Sequence, residues 1–224
     1  MVQPEPTDRS RAARLRVSEI FVSLQGESRP VGLPTVFVRL TGCPLRCRWC
    51  DTEYAFHGGE SLAMDTLLER VAGHALKRVC VTGGEPLAQR GCLDLLQRLC
   101  DDGYEVSLET SGALDIAPVD PRVTVVMDLK PPGSGESARN RWQNLEHLKA
   151  SDQLKIVIAD TQDYAWAVEQ LRERQLDTRF SVLFSPAWNE QDPRELAEWI
   201  LRDGLEVRFQ LQLHKLLWGE EPGH

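Results

Sequence analysis

Three cysteines fall within eight residues, in the run Cys43-Pro-Leu-Arg-Cys47-Arg-Trp-Cys50-Asp-Thr52. Thiolates crowded this closely on a proline-bearing loop suit zinc or an iron-sulfur cluster. Both normally close with a fourth protein ligand, and no further cysteine lies in the loop. One metal position is therefore open to His57, to a distant cysteine or to something that is not protein. Cys80 sits in a strand-like run, and Cys92 and Cys100 lie eight residues apart on one face of a helix-like run. Those three read as apolar filler rather than ligands.

The elements that must carry this loop alternate between strand and helix. Strands are expected over 17–24, 35–40, 78–81, 105–109, 123–130, 153–159, 179–184 and 207–217. Helices are expected over 64–74, 87–99, 137–150 and 161–176, the last capped by Thr161, and from Asp192-Pro193-Arg194-Glu195 to Asp203. This alternation implies parallel strands joined by crossover helices in one α/β domain, either an open doubly wound sheet or a partly closed barrel of about six units. Both architectures gather chemistry at the carboxyl ends of the strands. Gln25-Gly26-Glu27, the cysteine loop, Thr82-Gly83-Gly84-Glu85, Glu109-Thr110-Ser111-Gly112, Asp128 with Lys130, Ser185-Pro186 and His214-Lys215 all fall at strand ends.

Two of these positions carry an argument of their own. Arg39 lies on a strand whose other face is Val36, Val38 and Leu40. If it points into the domain it needs an anion, such as a substrate carboxylate; otherwise it is a surface arginine on an edge strand. His214 belongs to the polar face of the last strand, with Arg208, Gln210 and Gln212, and either meets a ligand or lies in a solvated row.

The chain has 224 residues and a formal net charge of -8, from 26 basic and 34 acidic residues. That length buries a sizeable core. The acidic balance disfavours broad attraction to nucleic acid or anionic membrane, so a small molecule or another protein is the expected partner. Six unevenly spaced cysteines do not make a secreted disulfide scaffold, and a reducing cytoplasm is expected. Residues 1–16 are polar, lack the apolar centre of a signal peptide and are expected to form a flexible tail ahead of a domain over 17–224. No apolar run is long enough to span a bilayer.

The Cys-x3-Cys-x2-Cys spacing, Trp49 before the third cysteine and the later Gly83-Gly84-Glu85-Pro86 resemble the radical S-adenosylmethionine (SAM) superfamily. There, three cysteines hold a 4Fe-4S cluster and SAM completes the fourth iron, which would fill the open position. The stretches Ile20 to Glu27, Val36 to Leu40, Cys50-Asp51-Thr52, Glu109 to Gly112, Asp128-Leu129-Lys130 and Leu213-His214-Lys215 narrow the likeness to the 7-carboxy-7-deazaguanine synthases.

The resemblance implies a radical SAM core built as a partial (βα)6-type barrel. It also implies a lyase that converts 6-carboxy-5,6,7,8-tetrahydropterin to 7-carboxy-7-deazaguanine with loss of ammonia, on the route to queuosine in tRNA. The reacting species would be a 5′-deoxyadenosyl radical rather than a protein group. By the same resemblance Leu24, Gln25, Gly26, Glu27, Arg39, Thr82 and His214 would bind substrate, with Arg39 on its carboxylate. Trp49, Asp51, Gly83, Gly84, Glu85, Ser111, Asp128, Lys130 and Ser185 would bind SAM. Cys43, Cys47 and Cys50 would hold the cluster, and Thr52 a magnesium ion. Some members have serine where this chain has Asp128. A homodimer and an electron donor such as flavodoxin or ferredoxin are further implications. A small glycyl-radical-enzyme activase and a non-enzymatic zinc or iron-sulfur module are the alternatives.

Overall fold

The computed structural model describes residues 14–219, 221 and 223. Strand β1 (Arg14–Leu24) turns back as β2 (Pro34–Leu40), and β3 (Glu60–Ala63) pairs antiparallel with the other edge of β1. From β2 onward every pairing is parallel, through β4 (Arg78–Gly83), β5 (Glu105–Thr110), β6 (Thr124–Leu129), β7 (Gln153–Ile158), β8 (Ser181–Pro186) and the short β9 (Arg208–Phe209). The order β3-β1-β2-β4-β5-β6-β7-β8-β9 ends on β3 and β9, which do not pair, so the sheet is a partial barrel.

The helices are α1 (Met64–Ala72), α2 (Gly91–Asp101), α3 (Thr161–Glu173), α4 (Leu176–Arg179), α5 (Pro193–Asp203) and α6 (Leu213–Trp218). Helices α1 to α5 cover the outer face of the sheet, where the alternation of β2 puts Val36, Val38 and Leu40 against Leu67 of α1 and Leu95, Leu96 and Leu99 of α2. A second cluster joins Leu154, Ile156, Val182 and Phe184 to Ala167 and Leu171 of α3 and Leu196 and Ile200 of α5. Each fully buried leucine contributes about 2 kcal/mol. Because this face is spent on packing, the odd positions of β2 turn inward.

Helix α5 starts as its sequence requires. Asp192 accepts a hydrogen bond from Arg194 N, Pro193 opens the first turn, and Gly204 closes the helix at φ +59°.

Several expectations need correcting. Residues 14–16, assigned to the tail, are the start of β1; the rest of the tail, residues 1–13, lies outside the described residues. The cap of α3 is Asp160, which accepts from Gln162 N and Asp163 N, rather than Thr161. The expected helix over 137–150 is two short 3-10 turns, Ser137–Arg139 and Trp142–Glu146. Its asparagines are taken by neighbouring backbone: Asn140 bonds both Lys130 N and O, and buried Asn144 donates to Gly112 O and Leu114 O. Such side-chain bonds compete directly with helix formation. The closing strand over 207–217 survives only as β9, after which the chain turns into α6.

The gap beside β9 is bridged by the β1–β2 loop, residues 25–33. Ser28 N donates to Gln210 Oε1 at 2.5 Å, Gln210 Nε2 returns a bond to Ser28 O, Arg29 N donates to Gln153 Oε1, and Leu213 N donates to Gly26 O. Side chains and loop backbone, rather than a strand ladder, complete the wall.

Candidate active site

Sheet register lays a polar stripe across the inner face. Arg39 on β2 is paired with Thr82 on β4, Glu109 on β5 with Val126 on β6, and Asp128 on β6 with Lys155 on β7. These residues line one cavity of about 240 Å³, closed above by the cysteine loop and at the seam by Gln25, Gly26, Glu27, Gln212, His214 and Lys215.

Each cation of the cavity has its own carboxylate. Lys155 bonds Glu27, Lys130 Nζ lies 2.9 Å from Asp128 Oδ2, Lys215 Nζ lies 2.8 Å from Asp51 Oδ2, and Arg39 Nε lies 2.6 Å from Glu19 Oε1. Among the described residues Glu109 is left with neutral donors, Thr82 Oγ1 at 3.1 Å, Gln25 Nε2 at 3.3 Å and the Cys80 thiol. Burial and then the neighbouring charge of Glu27 push the Glu109 carboxyl above its ordinary range. Burial would raise Glu27 too, but the charge and hydrogen bond of Lys155, helped by Gln212, bring it below that range. Two carboxyls in one cavity are thus driven apart, one toward the acid and one toward the anion. Burial also lowers the His214 imidazole, against the pull of Glu27 and Asp51.

The cysteine loop is held from both sides. Gly84 N donates to Leu40 O and Glu85 N to Gly42 O, while Arg48 N donates to Ser134 O and Arg46 N to Glu136 Oε1. A Cβ at Gly84 would stand 2.4 Å from Gly42 O and 2.7 Å from Cys43 Cβ, and one at Gly83 would stand 2.2 Å from Leu40 O. The glycine pair is therefore required by the approach of two backbones, before any ligand enters. Cys43, Cys47 and Cys50 are unpaired thiols on the cavity wall. Burial raises all three, Cys47 to about 11, so loading a metal releases protons. Among the described residues no three His, Cys, Asp or Glu side chains converge on one point, as a closed mononuclear zinc site requires.

A family model for the radical SAM superfamily matches residues 37–200. A curated 7-carboxy-7-deazaguanine synthase from Chlorobaculum tepidum is 44% identical over 95% of this chain and 98% of its own length. The chain belongs to the 7-carboxy-7-deazaguanine synthase family of radical SAM enzymes. The synthase of that name from Koribacter versatilis is 42% identical, over 92% of this chain and 98% of its own. A crystal structure of QueE from Escherichia coli shares the fold, with a TM-score of 0.74 over 90% of this chain and 95% of that one, at 24% identity. The cofactors of this radical SAM enzyme are a 4Fe-4S cluster and SAM.

The residues that the 7-carboxy-7-deazaguanine synthase pattern singles out line the cavity together, except Glu85 and Ser185. Glu85 is fully buried, and its carboxylate accepts from Thr110 Oγ1, Ser111 N, Ser111 Oγ and Leu87 N. It ties the Gly-Gly turn to the end of β5 and has no oxygen to spare for SAM. Ser185 pairs in register with Val157, which lines the cavity, but its own hydroxyl is buried without a partner among the described residues.

Lys155 is the residue that sequence reasoning missed outright. Its signal was present: a lone lysine in the apolar run Leu154-Lys155-Ile156-Val157, open to the same argument as Arg39. Glu109, Gln212 and Lys215 stood in the quoted stretches without a site role, and Trp188 and Glu19 gave no signal.

Proposed function

We propose that this chain is the radical SAM lyase that converts 6-carboxy-5,6,7,8-tetrahydropterin to 7-carboxy-7-deazaguanine and ammonia. The observation that carries the reading is the meeting, in one cavity, of three unpaired thiols with a wall of ion pairs that includes Arg39. The donor set fits the group: three soft ligands leave one iron for SAM. When bound, the cluster and SAM supply the 5′-deoxyadenosyl radical that takes hydrogen from the pterin.

Cys43, Cys47 and Cys50 hold the cluster in this reading. Trp49, Asp51, Gly83, Gly84, Ser111, Asp128 and Lys130 line the SAM side, where Asp128 Oδ1 is a buried acceptor without a partner among the described residues. Glu85 supports that side from behind. Leu24, Gln25, Gly26, Glu27, Arg39, Thr82 and His214 face the pterin, with Arg39 on its carboxylate. Thr52 donates its hydroxyl proton to Asp51 Oδ1 at 2.8 Å, which leaves its lone pairs for magnesium. Burial of the reacting carbon among paired charges keeps out water and preorganises the field around it.

Flavodoxin or ferredoxin would supply the electron, and the enzyme would act as a homodimer in the cytoplasm without binding nucleic acid or membrane itself. Among the described residues no helix is long and apolar enough to cross a membrane. Anaerobic reconstitution tests the reading. About four irons per chain, cleavage of SAM on reduction, and 7-carboxy-7-deazaguanine from the pterin are expected. A loaded protein that leaves the pterin unchanged rules out this substrate.

A further inference from the structure

Arg39 meets the cavity with part of its fork already taken. Its Nε donates to Glu19 Oε1 at 2.6 Å, and the same oxygen accepts from Tyr54 OH at 2.7 Å. Glu19 and Arg39 are register partners on β1 and β2, so the ladder itself places the two side chains on one face. The guanidinium lies 5.7 Å from the Phe21 ring and 5.8 Å from the Tyr54 ring, and Phe21 stacks on Phe37 at 5.0 Å. Arg39 lines the cavity, while Glu19 and Tyr54 stand outside its lining.

An arginine can grip a carboxylate side-on, through Nε and one terminal nitrogen, or end-on, through both terminal nitrogens. Glu19 occupies the side-on edge. We infer that Glu19 and Tyr54 are positioning residues that lock Arg39 so that its two terminal nitrogens receive the substrate carboxylate end-on. Tyr54 follows Thr52 by two residues, so one contact fixes both the carboxylate end of the pterin site and the chain leaving the cysteine loop. The inference rests on the reading of Arg39 as the carboxylate-binding group.

Position and charge make opposite demands here, which gives the test its edge. Glu19 is an anion behind a site for an anion, so charge alone predicts tighter carboxylate binding once it is removed. Locking predicts weaker binding.

The experiment is equilibrium titration of the reconstituted enzyme with 6-carboxytetrahydropterin and with tetrahydropterin lacking the carboxylate. Glu19→Ala is expected to bind the carboxylated ligand about tenfold more weakly, a cost of about 1.4 kcal/mol, and the other ligand as the wild type does. Glu19→Gln, whose amide oxygen still accepts from Nε, should stay within about threefold of wild type. Tyr54→Phe should lose about threefold. In turnover, KM should rise with kcat unchanged. If Glu19→Ala does not load its cluster, Glu19→Asp carries the test, because its shorter side chain withdraws the acceptor and should show the same loss. Equal or tighter binding of the carboxylated pterin by Glu19→Ala or Glu19→Asp overturns the inference while leaving Arg39 in place. A wild type that binds both ligands alike overturns the role of Arg39 itself, and the inference with it.

Discussion

Lys155 on β7 and Glu27 in the β1–β2 loop, 128 residues apart in the chain, form an ion pair inside the cavity. Gln212 donates to the second oxygen of the same carboxylate at 2.7 Å, so three segments meet on one side chain. Replacing Lys155 with methionine leaves Glu27 buried and unpaired. A loss of about 3–5 kcal/mol is expected, read as a fall in the thermal midpoint. Glu27→Gln added to Lys155→Met should restore most of it. Because the Glu27 pKa is lowered, its contribution is present at neutral pH and is lost only as pH falls through and below the ordinary carboxylate range.

Glu109 carries the opposite sign. Its carboxyl is raised, so the folded state holds a proton that the unfolded state has released, and stability falls as pH rises from the ordinary carboxylate range through the folded pKa. Glu109→Gln should flatten that fall and leave acid stability unchanged. Thermal midpoints of the two proteins across pH 4 to 9 check it, and parallel curves would exclude a raised Glu109.

Gly84→Ala would drive a Cβ into the backbone of Gly42 and into Cys43, neither of which can swing aside. Iron bound after reconstitution should drop from about four per chain to less than about half of that. Gly103→Ala is the control. Gly103, unlike Gly84, has a positive φ, of +80°, but its added Cβ meets nothing within 4 Å. It should cost about 1–3 kcal/mol of strain with full iron content.

Gly26→Ala places a Cβ 2.0 Å from His214 Nδ1. The imidazole must swing away, which takes it from its place on the cavity wall. Loss of pterin affinity by about tenfold or more is expected, with SAM binding retained, and separate titrations with each ligand would resolve the two.

The sheet was legible because a buried strand and its packing helix have distinct periods. Val36, Val38 and Leu40 announce one face of β2, and by subtraction Arg39 belongs to the other. Segments ruled by side-chain capture of backbone were not legible. Nothing in the spacing of residues 137–150 says that Asn140 bonds the backbone at the end of β6 or that Asn144 bonds the backbone after β5, and nothing in the alternation of 207–217 says that Gln210 and Gln212 are claimed by Ser28 and Glu27. The site followed the same division. The cysteines were found by type and spacing and the other motif residues by resemblance, but the partners of Arg39 and of Asp51, Glu19 and Lys215, are defined only by register and by the seam. The hydrogen bonds of Glu85 to the end of β5 were not legible either, because a carboxylate beside two glycines reads the same whether it faces a ligand or holds the wall.

The seam separates the molecule into parts with different freedoms to change. The parallel strands carry the cysteine loop and the Gly-Gly turn, where backbone meets backbone and a single methyl group is too much. Residues 25–33 and 210–218 are joined to that scaffold by side-chain bonds, a backbone bond from Gln210 N to Phe184 O and two ion pairs, Lys155 with Glu27 and Lys215 with Asp51. Exchange of those two segments as a matched set would recast one wall of the cavity while Arg39 and Thr82 stay fixed on the scaffold strands, provided that position 215 keeps the lysine that pairs with Asp51.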